Sequence, residues 1–557
     1  MARVMLRASV AFALGLLLVD RTSAEEPERP RAAIETGGHV LPLTAIATSG
    51  DGTLVATGSE DGTVRVWRRA DAGLVETHRL PSGMAVPVRL AIDGDSILLD
   101  DGVVRRSLAR SSGSITAGMG LAIGRGDRDG RGRALLIVRR DEVSDRPPDA
   151  VRLVDANGKA IAEYVAPAGL TPWSARFSPD GRRVAVGFLE VARIDLLGGD
   201  DLRLAGQPDL RGVGPGDLRA VAFSSDGQWL FAAGSWSAKE GLAIVRRWAD
   251  GGGGAFTDLA VARGEIVELI PMPDGGVAWA GTEPGWGASD AAMGRVAVAA
   301  GATTIDMRAR RLRVDERGDR VLLPMGRDGS GSVVFSVSER MVRRVSDPAA
   351  EPGLRPARTT APALSVLDWR DSRRVLVNGR EVRLDLRARS LAIAPDASFF
   401  ILGLDGALHA REWELDRFAD PAFTSVPGSA FAVAFSGDGK SIVATLGDGT
   451  VRWYRASDRA ELLALYLAPE GDRWVLFTPA GYYDAAPGAE SLVGWAVGRG
   501  DDRTDDWFSV GRFRARYHRP DVIDRVLQAG DVWRAVAEAD DALATGPKAA
   551  EPLRRQL

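Results

Sequence analysis

The sequence predicts an all-β protein built of four-stranded sheets stacked around an axis, a propeller, and three observations predict it. The string "DGTVRVW" at 61–67 returns as "DGTVRWY" at 448–454. Asp61 and Asp448 are 387 positions apart, nine periods of 43, which lies in the range of four-stranded propeller repeats. Between these copies, short apolar runs alternate with Gly- and Asp-rich turns and show no helical period.

The first unit sets the pattern. "LTAIA" reads as a strand, "SGDG" as a turn, "TLVATGS" as a second strand, "EDG" as a tight turn, and "TVRVW" and "LVETHRL" as the last two strands. The Asp of the first turn recurs at Asp51, near Asp93 and Asp95, then at Asp180, Asp226 and Asp274, near Asp319, and at Asp396 and Asp438. A degenerate copy falls in 118–140, and "RRVLVNGREVRLD" is a hairpin turning at Asn378 and Gly379 in a shortened unit. The stretches 236–243 and 284–293 read as insertions that lengthen the spacing. Counting markers gives nine or ten units, so seven or more four-stranded blades are expected across 31–467, in one ring or two. Such a meander is apolar on both faces, and only stacking against its neighbours buries them.

After the last unit, "FTPAGYY" echoes "FSPDGRR", so 468–530 reads as a blade remnant with an extension. "RPDVIDRVL" spaces Val522, Ile523, Val526 and Leu527 as a helix after Pro520; a second helix is expected over 532–543, inside a 531–557 tail.

Composition bounds the function. The formal charge of −4 gives no electrostatic case for holding a nucleic-acid backbone. No cysteine is present, which removes thiolate nucleophiles, thiolate metal sites and disulfides. Residues 1–24 read as an export signal: basic "MARVMLR", apolar "ASVAFALGLLLV", and a small-residue cleavage site ending at Ala24. The mature chain is therefore expected to start near Glu25, in the periplasm or outside the cell, with no membrane segment after cleavage.

Gly38, His39, Thr57, Asp61 and Trp67 match the pattern of a WD-repeat blade, which the first unit resembles. The resemblance implies a WD40-type propeller in which His39, Thr57, Asp61 and Trp67 form a buried hydrogen-bonded staple. The match decays along the chain: Arg68 replaces the closing Asp, and the last copy has Tyr454 for Trp, Asp448 for Asp and Gly428-Ser429 for Gly-His. The phrases "NGREV", "SLAIAPD", "FILG", "WVLFTPAGYYDA", "GWAVGRG" and "FRARYHRPDV", over roughly 363–528, are similar to bacterial proteins joining a WD-repeat propeller to a caspase-like peptidase. The peptidase of those proteins supplies a His–Cys pair, and this chain has no Cys. The resemblance thus implies a recognition module rather than the peptidase.

Candidate chemistry is sparse. The four histidines, His39, His78, His409 and His518, have no paired metal spacing, and the last three read as surface or capping residues. "GRGDRDGRGR" at 124–133 places Asp127 and Asp129 as half of a calcium loop, without its closing Glu, and without the Lys-Ser/Thr of a phosphate loop. There is no Ser-containing nucleophile elbow and no HExxH helix. Tyr482, Tyr483, Trp495, Arg512 and Arg516 crowd the tail, either sealing the fold or contacting a partner. The expectation is an exported, non-catalytic scaffold with no catalytic residue, cofactor or resident metal. Its partner is a protein of unknown identity, with a separate caspase-like peptidase as one candidate. Two alternatives stand beside it. One is a Tol-Pal-like envelope propeller binding a lipoprotein, from "FSPDGRRVAV" and the signal. The other is a propeller hydrolase with a carboxylate-lined axial site.

Overall fold

A computed structural model describes residues 31–139, 149–237, 241–299, 312–325, 331–362, 364–412, 422–468 and 470–545. The export signal read at 1–24 and the end of the tail lie outside them. Strands take up 51% of the described residues and helices 8%, and most sheets are four-stranded and antiparallel, so the fold is all-β and of the WD40 propeller type.

Six consecutive blades form a closed ring. They span 43–79, 89–117, 127–165, 172–206, 220–263 and 266–299, each a meander whose four strands pair in chain order. The first strand of each blade lies innermost, and cross-blade bonds start from these strands. Thr44 Oγ1 donates to Pro87 O at 2.7 Å, Arg89 meets Asp127 at 2.8 Å, and Phe177 N donates to Asp127 Oδ2 at 3.0 Å. Ser174 Oγ donates to Arg219 O at 2.6 Å, and Ile266 N to Gly234 O at 2.9 Å. Closure joins blade 6 to blade 1. Leu43, Ile46 and Trp67 pack with Met272, Ala278 and Trp286, Ile46 N donates to Glu268 Oε2 at 3.0 Å, and Arg69 pairs with Asp274. The stretch 284–293 holds the third strand of blade 6, Gly285–Ser289, so it is not an insertion.

Four of the turn aspartates do the same work. Asp51, Asp180, Asp226 and Asp438 each accept a bond from the Ser two residues before, at 2.5–2.7 Å. Each also accepts one from a backbone amide two residues after, at 3.0–3.1 Å. A short acidic side chain is what lets the tight turn satisfy its own N–H groups.

In the second body, successive sheet units are joined by strands shared between them. A five-stranded sheet covers 313–356, and a ten-stranded antiparallel sheet runs from Val366–Leu367 to Tyr483–Ala485. Three 14-residue strands, Arg380–Ile393, Phe399–Glu412 and Ala422–Phe435, each pair with one neighbour by their first half and another by their second. The five-stranded sheet docks on this array through Trp453 Nε1, which donates to Gly318 O at 2.7 Å, and through Phe335 against Trp474.

The tail closes this body. Helix Pro520–Ala529 starts with Pro at its first turn and ends at Gly530, whose φ of 64° is the left-handed stop glycine adopts without strain. Val522, Ile523 and Val526 are buried and Leu527 partly so, and Val532, Ala535 and Ala539 of helix Val532–Thr545 join the same core. No helix among the described residues is long and apolar enough to cross a membrane.

The two bodies are tied by the first described strand. Arg31–Ile34 pairs with Val493–Val497, not with the ring, in a sheet completed by Asp506–Ser509. Glu35 then bonds Arg65 and Arg79 of blade 1, while Asp505 takes Arg31 at 2.7 Å and donates its amide to Arg79 O at 2.9 Å.

Candidate functional site

In blade 1, His39, Thr57, Asp61 and Trp67 lie in one buried chain of bonds. Trp67 Nε1 donates to Thr57 Oγ1 at 2.7 Å, and Thr57 Oγ1 lies 2.8 Å from His39 Nε2. His39 Nδ1 lies 3.1 Å from Asp61 Oδ2, whose carboxylate also accepts from Val40 N and Thr63. Burial keeps His39 below its usual pKa despite Asp61, so its neutral ring can accept at Nε2 and donate at Nδ1. Burial alone would raise Asp61, but His39, Arg65 and Thr63 reverse this and hold it well below the usual carboxylate range.

The last copy is wired differently. Asp448 bonds Thr450 and takes Arg452 at 3.0 Å, while Ala444 stands at the strand position of Thr57. Tyr454 is buried with its hydroxyl unpaired among the described residues, and Ser429 donates to Asp405 of the preceding strand.

Asp127 and Asp129 face protein donors. Asp127 bonds Arg89 and Phe177 N, and Asp129 bonds the amides of Arg131 and Arg133 and the Arg133 guanidinium at 2.7 Å. Among the described residues no group of three or more metal-ligating side chains occurs. His78 and His409, expected as surface or capping residues, are buried beside Glu76 and Arg411.

The tail residues divide. Tyr483 is fully buried with its hydroxyl on Glu490 at 2.9 Å; Trp495 is buried, and Tyr482 half-buried, both against Tyr517. Arg512 and Arg516 are exposed, lying over Phe508 and Tyr517. Aromatic packing and guanidinium exposure thus occur in the same segment.

One large cavity involves none of these tail arginines. A cavity of about 1650 Å³ opens between the ring and the second body, with Trp173, Trp279 and Trp286 on the ring side and Arg370, Arg389 and Arg452 opposite. Its floor is the ring axis, which is plugged. Arg176 donates to Glu268 Oε1 at 3.1 Å and to Arg125 O and Gly126 O at 2.6 and 2.9 Å, and Trp173 Nε1 donates to Val267 O at 3.3 Å. Glu268 and Arg176 went unnoticed in the sequence, although a Glu inside the apolar run "IVELIP" is the signal that marks such a buried pair.

The family described as WD domain, G-beta repeat matches residues 33–68 and 210–239. The first match spans the staple of blade 1, and the second leads into and covers the opening strands of blade 5. No curated protein matches the chain. Repeats of this family generally serve protein interaction, which supports a scaffold kind of role for the chain.

Proposed function

We propose that this chain is an exported, non-catalytic scaffold that holds another protein at the face shared by its ring and its second body. The observation that carries the reading is the cavity itself: both bodies wall it, and its lining sets the half-buried Trp173 among arginines, the side chains that protein interfaces use as anchors. The polar groups best suited to chemistry are already engaged, His39 and Asp61 in bonds within blade 1 and Glu268 in bonds between blades. The 1–24 pattern supports a periplasmic or secreted location. The tail phrases over 363–528 make a separate caspase-like peptidase the partner to test by name.

The test is affinity capture with the full chain from envelope and secreted fractions, followed by reconstitution with the purified partner. A stoichiometric complex that shields cavity-rim segments from hydrogen exchange is the expected result. Capture of nothing, together with turnover of a sugar or lactone substrate, would replace the scaffold with the hydrolase alternative.

A further inference from the structure

The cavity floor is a cluster of cations around one indole. The guanidiniums of Arg125, Arg139 and Arg219 lie 4.0, 5.2 and 5.6 Å from the Trp173 ring. Arg219 is neutralised by Asp217 at 2.7 Å and Glu265 at 3.0 Å. Arg125 is not neutralised in this way. Among the described residues no carboxylate lies within 4.0 Å of it, and it reaches only the carbonyls of Val267 and Thr44, at 3.3 and 3.5 Å. Those contacts exceed the usual span of about 2.7–3.2 Å. The one carboxylate beneath it, Glu268, is shared between Arg176 and the Ile46 amide. Burial lowers Arg125 to about 10, so it keeps its charge at neutral pH while losing much of its hydration.

The imbalance extends over the walls. Ten arginines and seven carboxylates line the cavity of a chain whose net charge is −4. Arg263, Arg295 and Arg370 also have no carboxylate within 4.0 Å among the described residues. A concave, low-dielectric site with surplus cations concentrates positive potential, and planar guanidinium forks match carboxylates. A volume of about 1650 Å³ exceeds the roughly 300–1,000 Å³ of small-molecule pockets and fits a length of peptide.

We infer that Arg125, backed by the Trp173 indole and flanked by Arg263 and Arg370, receives the carboxylates of an extended acidic segment of the partner protein. This rests on the scaffold reading above and names the chemistry of what the scaffold holds.

Fluorescein-labelled hexaglutamate titrated into the full chain at low salt tests it, with hexaglutamine and a hexathymidylate alongside. Hexaglutamate is expected to saturate, with binding weakened at least about tenfold by Arg125→Met and several-fold by the exposed-side pair R263Q/R370Q. The tail pair R512Q/R516Q should leave it unchanged. Melting curves accompany each variant; should R125M fail to fold, R263Q/R370Q decides. Absent saturation, binding indifferent to both cavity variants, or tighter binding of the hexathymidylate would overturn the inference. A captured partner that hexaglutamate cannot displace would also overturn it, leaving the scaffold reading intact. A chain that captures nothing yet binds hexaglutamate through Arg125 would remove the scaffold reading alone.

Discussion

Thr57 and Trp67 lie diagonally across two adjacent strands of blade 1, with the indole nitrogen 2.7 Å from the hydroxyl oxygen. The same hydroxyl is the partner of His39 Nε2, so one small side chain serves two buried ring nitrogens. Thr57→Val keeps the shape and deletes both bonds. Each orphaned buried group costs about 1–3 kcal/mol, so urea unfolding should report a loss of about 2–4 kcal/mol, with Thr57→Ser near wild type. A loss below about 0.5 kcal/mol would show that the relay adds nothing to stability.

The axial plug gives a sharper contrast. Glu268 and Arg176 are both buried, with 2% and 7% exposure, and Glu268→Leu would leave the guanidinium uncompensated. Breaking a buried pair from one side costs about 3–5 kcal/mol. The double variant R176M/E268L should recover most of that in thermal and urea unfolding. Equal loss in both variants would mean that the plug acts through shape rather than charge.

His409 supplies a pH dependence. Arg411 Nε donates to His409 Nε2 at 2.9 Å, which requires a lone pair there, and burial with the Arg411 charge lowers the imidazole to about 4. The unfolded chain takes up the proton near pH 6.5, so it binds more protons than the folded chain between 6.5 and about 4. The stabilisation is therefore complete above 6.5 and falls as pH drops toward 4, by at most about 1.4 kcal/mol per pH unit. His409→Gln should flatten this part of the stability profile, and an unchanged slope would exclude His409 as its source.

Gly428 sits where the bodies approach. Its φ is 71°, and a Cβ there would come 2.5 Å from Leu41 Cδ2 and 3.0 Å from Gly447 Cα. Gly428→Ala should cost about 1–3 kcal/mol through strain and crowding. Hydrogen exchange around 40–44 and 426–430 should speed up, with partial rescue by Leu41→Ala. Unaltered exchange would show that the seam yields without loss.

Much of the ring was legible in the sequence because its information is local. "SGDG", "FSPDG" and "FSSDG" carry the turn aspartates with the serines they bond, and Pro520 and Gly530 mark the ends of a helix. The staple was readable because four residue types recur at a family spacing. Arg125, Trp173 and Glu268 were not, since they meet only when the ring brings blades 3, 4 and 6 to one axis. Arg125 lay within a stretch that reads as a polar turn, and nothing in its neighbours announces Trp173. Blade number was obscured for a related reason: the 14-residue strands after Arg380 run from one set of partners to the next without a turn to mark the change.

Arg31 is paired with Ala496, which sets an order of assembly. At synthesis rates of about 5–20 residues per second, the ring has its last strand long before residue 496 exists, while the leading strand waits roughly 20–90 s for its mate. During that interval the strand presents open amide and carbonyl groups to any passing edge. A cell that makes this protein therefore has reason to keep it extended, or chaperoned, until the final tenth of the chain has emerged.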